Sequence, residues 1–347
     1  MLSGAHSFDV IVVGAGPAGA ICASALARSG ARVGLVHRAS HQFRGIQLVS
    51  GRARRLLDQD SPDFFERQVP GLEINETISL WNTPQPVTWN QMLNPWGAAV
   101  AVERTVLDEA LRATSERAGA LMTEGEIRSA ERRHGAWQLL LHEGGIQRVL
   151  KTSFLILANG SSARRLIGRR MIGKPAQFAL MAQVSSRTLE QRHALYLELV
   201  KDGWWYMLPN PAGGYFAGYC TDYVRASSLE KPLRDAFFKE LRRSRLLQDV
   251  LNDTSPDAVV TACITGPRRY KHVAGEAWMG IGDAAFTPDP LSGEGIEFAI
   301  ESSLLAVQAL LAGEQSAALV NYEEQIQHYA ASHVQIRDMY LASAQAA

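Results

Sequence analysis

Cysteine is nearly missing from this chain of 347 residues, and so is any surplus of charge. Cys22, Cys220 and Cys263 are too few and too far apart for a disulfide framework or a zinc site, and each sits in an apolar stretch where thiols are commonly buried. A reducing, cytoplasmic setting with no metal is the expectation. Basic and acidic residues balance at 35 each, so no global field would draw nucleic acid or an anionic membrane. No apolar run reaches the roughly 20 residues that cross a bilayer, so no integral membrane segment is expected. The apolar N-terminus lacks the basic n-region of a signal peptide. Repeats and low-complexity tracts are missing too. What remains is an ordinary globular composition, long enough for two lobes.

One stretch stands out against that plain background, Phe8-Asp9-Val10-Ile11-Val12-Val13-Gly14-Ala15-Gly16-Pro17-Ala18-Gly19. The run Val10 to Val13 predicts a strand buried on both faces, and Ala18 to Arg28 has helical spacing. Between them the glycines stand in the G-x-G-x-x-G pattern. Gly14 permits the tight turn, Gly16 lets a pyrophosphate approach the backbone, and Gly19 lets the helix pack hard on the strand. The helix N-terminus then faces the phosphates. A second strand, Arg32 to Val36, supplies the context that the motif needs, and a dinucleotide cradle follows. Where such folds carry an acid for the ribose hydroxyls, this chain has His37 and then Arg38. An imidazole can hold a ribose by hydrogen bonds without the charge assistance of a carboxylate, which predicts weaker cofactor binding.

Further along, His41 to Leu57 reads as basic and then helical, with arginines on a solvated face. Trp81, Trp89 and Trp96, interleaved with Pro84, Pro86 and Pro95, predict an irregular aromatic excursion that could wall a substrate pocket. A strand over Ala98 to Val102 leads into a helix over Thr105 to Ala118. Strands follow at Leu121 to Thr123, Trp137 to His142 and Phe154 to Ala158, the last running into Asn159-Gly160. From Phe178 to Cys220 the pattern changes to alternating segments separated by turn signals, which predicts an antiparallel sheet in a second lobe. Leu229 to Leu251 reads as an amphipathic helix and Ala258 to Cys263 as another strand. The chain returns through a strand ending at Gly282-Asp283, and Ser292-Gly293-Glu294-Gly295 opens a helix to about Leu311, a second helix end able to stabilise an anion. A last helix is expected over Tyr322 to Ala342.

Taken together, Gly14, Gly16 and Gly19, Arg104 in Glu103-Arg104-Thr105-Val106-Leu107-Asp108, Asn159-Gly160, and Gly282-Asp283-Ala284-Ala285 through Gly295 resemble the FAD-binding frame of aromatic hydroxylase-type flavoproteins. That group includes class A flavin monooxygenases, geranylgeranyl reductases and flavin-dependent halogenases, and the resemblance covers nearly the whole chain. It implies an α/β fold, a three-layer Rossmann-like FAD-binding domain of the glutathione reductase kind with an inserted antiparallel substrate sheet. The FAD domain is expected over 1–65, 98–170 and 272–315, the substrate domain over 66–97 and 171–271, and a C-terminal helix over 316–347. The implied cofactor contacts are Gly14, Gly16, Pro17, Ala18, Gly19, His37, Arg38, Arg104, Ile127, Asn159, Gly160, Gly282, Asp283, Gly293, Gly295 and Ile296. Asp283 would accept from a ribityl hydroxyl, and the helix at Gly295 would aim its dipole at the flavin. His37 in place of the acid and Asn159 in place of threonine depart from the family pattern.

Asp289-Pro290-Leu291-Ser292-Gly293-Glu294-Gly295-Ile296 and Gly203-Trp204-Trp205-Tyr206-Met207-Leu208-Pro209 are most similar to the halogenase-like branch, which also holds flavoproteins that oxidise tryptophan residues during quinone-cofactor maturation. Halogenases of this branch carry a lysine from the first lobe beside the substrate, and this chain has no lysine before Lys151. Their W-x-W-x-I-P signature survives only as Trp204-x-Tyr206-x-Leu208-Pro209. The resemblance therefore implies an FAD-dependent monooxygenase, using a flavin C4a-hydroperoxide on an indole or phenol that is free or carried on a peptide or carrier. Trp204 and Tyr206 would line the pocket, with Trp81, Trp89 and Trp96 on its other side. The alternatives are a reductase or dehydrogenase of the geranylgeranyl reductase kind and a non-catalytic flavin-binding accessory protein. With no second G-x-G-x-x-G module, reduction would come from NAD(P)H docking transiently or from a separate flavin reductase. With halide, reductant, FAD and an indole, mass spectrometry should find no halogenated product; a chlorinated or brominated indole would contradict this.

Overall fold

The computed structural model describes residues 7–38, 45–61, 63–173, 177–185, 193–226, 229, 231–248, 258–312 and 315–345. At its centre lies β1 (Ser7–Val13), whose Ile11 and Val12 are fully buried. A strand covered on both faces is what an unbroken β-branched run produces in a parallel sheet. On one side β1 pairs in parallel with Ile146–Leu157, and on the other with β2 (Val33–His37). Val13 stands opposite both Leu157 and Val36, so three strand ends finish level. The sheet continues to Leu121–Glu124 beyond β2 and to Trp278–Gly280 beyond Ile146–Leu157. An antiparallel hairpin, Glu126–Arg133 and Ala136–Glu143, folds off the long strand.

Helix α1 (Pro17–Arg28) leaves β1 with Pro17 as its first residue, where a missing N–H costs nothing. Alanine, glycine and serine make up most of the buried residues of α1, beside Ile21, Cys22 and Leu26, so its neighbours approach closely. Ser303 Oγ donates to Ala18 O at 2.8 Å and Ser115 Oγ to Ala20 O at 2.7 Å, which ties α1 to helices Gly295–Leu311 and Arg104–Arg117.

The second lobe is a seven-stranded sheet in the order Val260–Thr265, Gln177–Val184, Tyr215–Asp222, Gly203–Pro209, Ala194–Val200, Glu76–Leu80, Val87–Asn90. Only the pairing of Ala194–Val200 with Glu76–Leu80 is parallel. Alternation along Gly203–Pro209 divides its aromatics. Trp205 packs against Phe237 and Tyr219, at centroid distances of 5.1 and 5.0 Å, while Trp204 joins Leu208 and Phe216 on the other face. A three-stranded sheet (Ile46–Val49, Ala99–Glu103, Gly71–Ile74) lies between the lobes. Ile46, Ile74 and Ala101 pack on the Trp204 face, and Val49, Val100 and Val102 pack on Ala20 and Ile21 of α1.

Several expectations change. The stretch from Trp81 to Trp96 is only partly irregular: bends over 81–85 lead into strand Val87–Asn90, which pairs with Glu76–Leu80, where Ile78 and Leu80 are buried. Strands Ile46–Val49 and Glu126–Arg133 were not foreseen. Residues 39–44, within the basic stretch, lie outside those described. The helix expected over 229–251 covers only Leu233–Leu241 among the described residues. Glu198, buried on the facing sheet, accepts from Arg245 N at 2.6 Å, Leu246 N at 3.0 Å and Ser244 Oγ, and so diverts these donors from a helical ladder. The last helix runs from Gln315 to Gln345, beyond both ends of the helical spacing at 322–342.

This C-terminal helix is fastened by specific polar contacts. Tyr322 Oη donates to Gly280 O at 2.6 Å, and Glu323 accepts from Val273 and Ala274 N–H. Asp289, almost wholly buried, accepts from Arg337 Nε at 2.7 Å, while its own N–H donates to His333 Nε2 at 2.9 Å. Removing one partner of a buried ion pair strands the other charge, so Arg337→Ala should lower stability by about 3 kcal/mol in urea unfolding. A loss below about 1 kcal/mol, the range of exposed pairs, would contradict that role.

Candidate cofactor and substrate site

The level ends of β1, β2 and Ile146–Leu157 open into a cleft, as parallel sheets do at their carboxyl edges. The crossing there depends on two glycines. Gly14 has φ +111° and a Cβ would meet the Ala158 carbonyl carbon at 2.5 Å; a Cβ on Gly19 would lie 1.8 Å from Gly14 O. Gly14 N donates to Val36 O and Ala158 N to Val13 O, both at 2.8 Å, which fixes the turn.

The cleft has two chambers that share Gly16, Arg104 and Ala158. The first, about 470 Å³, is bordered by Gly14, Gly16, His37, Arg38, Arg104, Ile127 and Asn159 of the expected set. The second, about 570 Å³, is bordered by Gly16, Pro17, Ala18, Arg104, Gly160, Gly282, Asp283, Gly293, Gly295 and Ile296, and on its sheet wall by Trp204 and Tyr206. Gly19 borders neither, since its place is the contact of α1 with the turn. Sequence reasoning missed Asp108, Arg112, Glu126, Arg128 and Arg165 in the first chamber and Arg268 in the second. The four-residue spacing of Arg104 and Asp108 on one helix was the available signal for Asp108.

Arg104 sits at the junction with its Nε 2.8 Å from Asp108 Oδ1. Burial pushes the Asp108 carboxyl up, and Arg104 counters this in part. Asp283 opens to the second chamber, yet the surrounding walls desolvate it and raise its carboxyl above the usual range, with Arg268 and Arg104 opposing. Tyr206 is pushed well above the phenol range by burial, so its hydroxyl stays protonated. The Tyr206 ring lies over Gly218, where a Cβ would come within 2.1 Å of it, and its centroid is 5.9 Å from that of Trp204.

Buried polar atoms without partners mark what the cleft lacks on its own. They include Asn159 Oδ1, Trp204 Nε1 and Arg268 Nε. Native proteins rarely leave such atoms unpaired. Helix Gly295–Leu311 presents its N-terminus at the second chamber with no side-chain cap, where its dipole favours negative charge. Bare glycine backbone, an anion-favouring helix end and orphaned hydrogen-bonding groups along two joined chambers fit a dinucleotide with a polar ring system at one end.

Trp81, Trp89 and Trp96 do not face Trp204 and Tyr206 across one pocket. Trp81 and Trp89 border a separate cavity of about 720 Å³ with Tyr329, Ile336 and Tyr340, and the Asp289 to Ser292 loop lies on the border of both. Trp96 lies under Arg52 and Arg55, 5.6 and 5.8 Å from its ring centroid. Trp89 stands opposite Thr77 and Thr77 opposite Leu195, so Trp89 shares the Tyr206 face of the sheet but lies three strands away from it, and Trp81 follows the end of Glu76–Leu80.

Residues 7–336 match the FAD binding domain family. A putative FAD-dependent oxidoreductase, LodB, of Marinomonas mediterranea is 24% identical over 360 residues, covering 95% of this chain and 91% of the relative. The menaquinone reductase of Mycobacterium tuberculosis is 28% identical over 331 residues, covering 88% and 76%. Among solved structures, the peptidyl tryptophan dihydroxylase QhpG, essential for tryptophylquinone cofactor biogenesis, superposes with a TM-score of 0.80 at 25% identity, covering 98% of this chain and 76% of that one.

Asp283→Ala should weaken FAD binding by roughly 1–3 kcal/mol through loss of a charge-assisted contact. The same change should stabilise the flavin-free protein at neutral pH. A carboxyl raised on folding costs stability while ionised, and that cost fades as pH falls through the raised value toward 3.8. Melting curves across pH, with FAD titrations, check both; unchanged FAD affinity, or an Asp283→Ala gain that grows on acidification, would contradict the assignment.

Proposed function

We propose that this chain, which belongs to the FAD binding domain family and is an FAD-dependent oxidoreductase, is a monooxygenase that inserts oxygen into an electron-rich aromatic, an indole or phenol that is free or carried on a peptide or carrier. The observation that carries this reading is the wall of the second chamber. Trp204 and Tyr206, with Met181, Leu195, Leu197 and Leu208, give an apolar aromatic surface bordering the same cavity as Asp283 and the start of helix Gly295–Leu311. Offset stacking on such a surface favours a flat ring by on the order of 0.5–1.5 kcal/mol per pair. The similarity to QhpG, a peptidyl tryptophan dihydroxylase, supports the same substrate class.

Bound FAD would supply the redox and oxygen-activating chemistry. Gly14, Gly16 and the N-terminus of α1 would hold its phosphates, with Arg104 at the junction held in place by Asp108. Asp283 and the start of helix Gly295–Leu311 would face the flavin end, where the dipole lowers the cost of added electrons. Tyr206 keeps its proton and acts as a hydrogen-bond donor rather than a base. Trp204 Nε1, buried without a partner, is a second donor free to orient a polar group of the substrate. The leucines and Met181 of the wall exclude water. Reducing equivalents come from NAD(P)H docking transiently or from a separate flavin reductase.

Similarity to the menaquinone reductase supports a second reading, reduction of a prenyl lipid, and the large apolar cavity beside Trp81 and Trp89 has room for such a chain. Titrating indoles, phenols and prenyl lipids against the FAD-loaded protein while following reductant-dependent oxygen uptake distinguishes them. Stimulation by an indole or phenol with an oxygenated product is expected. Stimulation by a prenyl lipid alone, with double-bond reduction and no oxygen insertion, would contradict the monooxygenase.

A further inference from the structure

We infer that Glu126, just past the strand next to β2, supplies the ribose-facing carboxylate that β2 itself lacks at His37. The sheet brings it there. Leu121–Glu124 runs parallel to β2 with Glu124 opposite His37, and the chain then breaks direction at Gly125. Gly125 has φ +154° and donates its N–H to His37 O at 2.7 Å; a Cβ there would lie 2.6 Å from Leu141 Cδ1. The next residue is Glu126, two residues past Glu124 and on the border of the same chamber as His37.

Strand Glu126–Arg133 is bulged at this point. Its ladder passes from Leu140 opposite Ser129 to Leu141 opposite Ile127, leaving Arg128 as the extra residue. The bulge puts three consecutive residues, Glu126, Ile127 and Arg128, on the chamber border, which regular alternation does not provide. Arg128 reaches Glu126 Oε2 at 2.9 Å and Arg38 approaches Oε1 at 3.7 Å, so the carboxylate is held between two cations. A carboxylate has about four acceptor positions, and these contacts leave some of them facing the half-open chamber. Among the described residues the chamber is bordered by one other carboxylate, Asp108, which is buried against Arg104. Without Glu126 the ribose hydroxyls would meet an imidazole and cations, and no carboxylate but Asp108, whose Oδ1 is held by Arg104. The cation beside each oxygen also offsets repulsion between this carboxylate and a dinucleotide that is itself an anion.

The inference rests on FAD binding alone and is indifferent to whether the enzyme oxygenates or reduces its substrate. It is tested by titrating FAD into the flavin-free full-length chain and following flavin fluorescence, with the melting temperature of each flavin-free variant recorded. Glu126→Gln should weaken FAD about tenfold, as loss of a charge-assisted hydrogen bond does. His37→Glu alone should not tighten binding, because it sets a second carboxylate beside the first. His37→Glu combined with Glu126→Gln should recover most of the lost affinity, which a purely structural role for Glu126 would not produce even if the single variant melted lower. Unchanged or tighter FAD binding in Glu126→Gln, tighter binding in His37→Glu alone, or no recovery in the double variant would each overturn the inference.

Discussion

The structure depends on one close contact of backbone with backbone, where Gly14 turns beside Ala158 and Gly19 lies against the Gly14 carbonyl. No side chain fits at either glycine, so α1 settles directly on the strand ends and its first N–H groups look into the cleft. Everything around the cleft takes its position from that crossing. Helices Gly295–Leu311 and Arg104–Arg117 pack on α1 through serine hydroxyls, and each brings its own N-terminus to the cleft. The small central sheet packs on α1 by one face and on the Trp204 face by the other, and so holds the aromatic wall against the nucleotide-binding half.

The cleft keeps polar groups in a condition that folding alone does not favour. The Asp283 carboxyl is pushed up by the walls of the chamber it opens to, Asn159 Oδ1 and Trp204 Nε1 lack partners, and the helix end at Gly295 is uncapped. Each is a small cost to the empty protein that a bound cofactor or substrate can offset. The C-terminal helix supplies rigidity in return. Its Arg337 and His333 grip the Asp289 loop, and Glu294, just before Gly295, is held below the usual carboxylate range by its contacts with His333 and Tyr329.

Residues legible in the sequence were those whose backbone requirement leaves a mark. The glycine turn, the Gly-Asp strand end and the opening of the helix at Gly295 all border the cleft as expected, Gly19 aside, because glycine spacing and apolar runs encode local geometry directly. Trp81, Trp89 and Trp96 misled because aromatic content gives no position; the strand order sets Trp89 on the Tyr206 face but three strands away, beside a neighbouring cavity. Glu126 and Arg128 were invisible for a related reason. A bulge and a left-handed glycine place them, and neither is marked by a period in the sequence. The helix beyond Leu241 was lost to Glu198, a partner some forty residues earlier that periodicity within a segment cannot reveal.

The central claim is that the flavin end of bound FAD occupies the second chamber, which Trp204 and Tyr206 wall. It is tested most directly by the fluorescence of bound FAD, since an indole or phenol in contact quenches a flavin. The account predicts strongly quenched FAD in the wild type and recovery of emission in Trp204→Leu/Tyr206→Leu at equal FAD occupancy. Emission that is identical in the two proteins would contradict it.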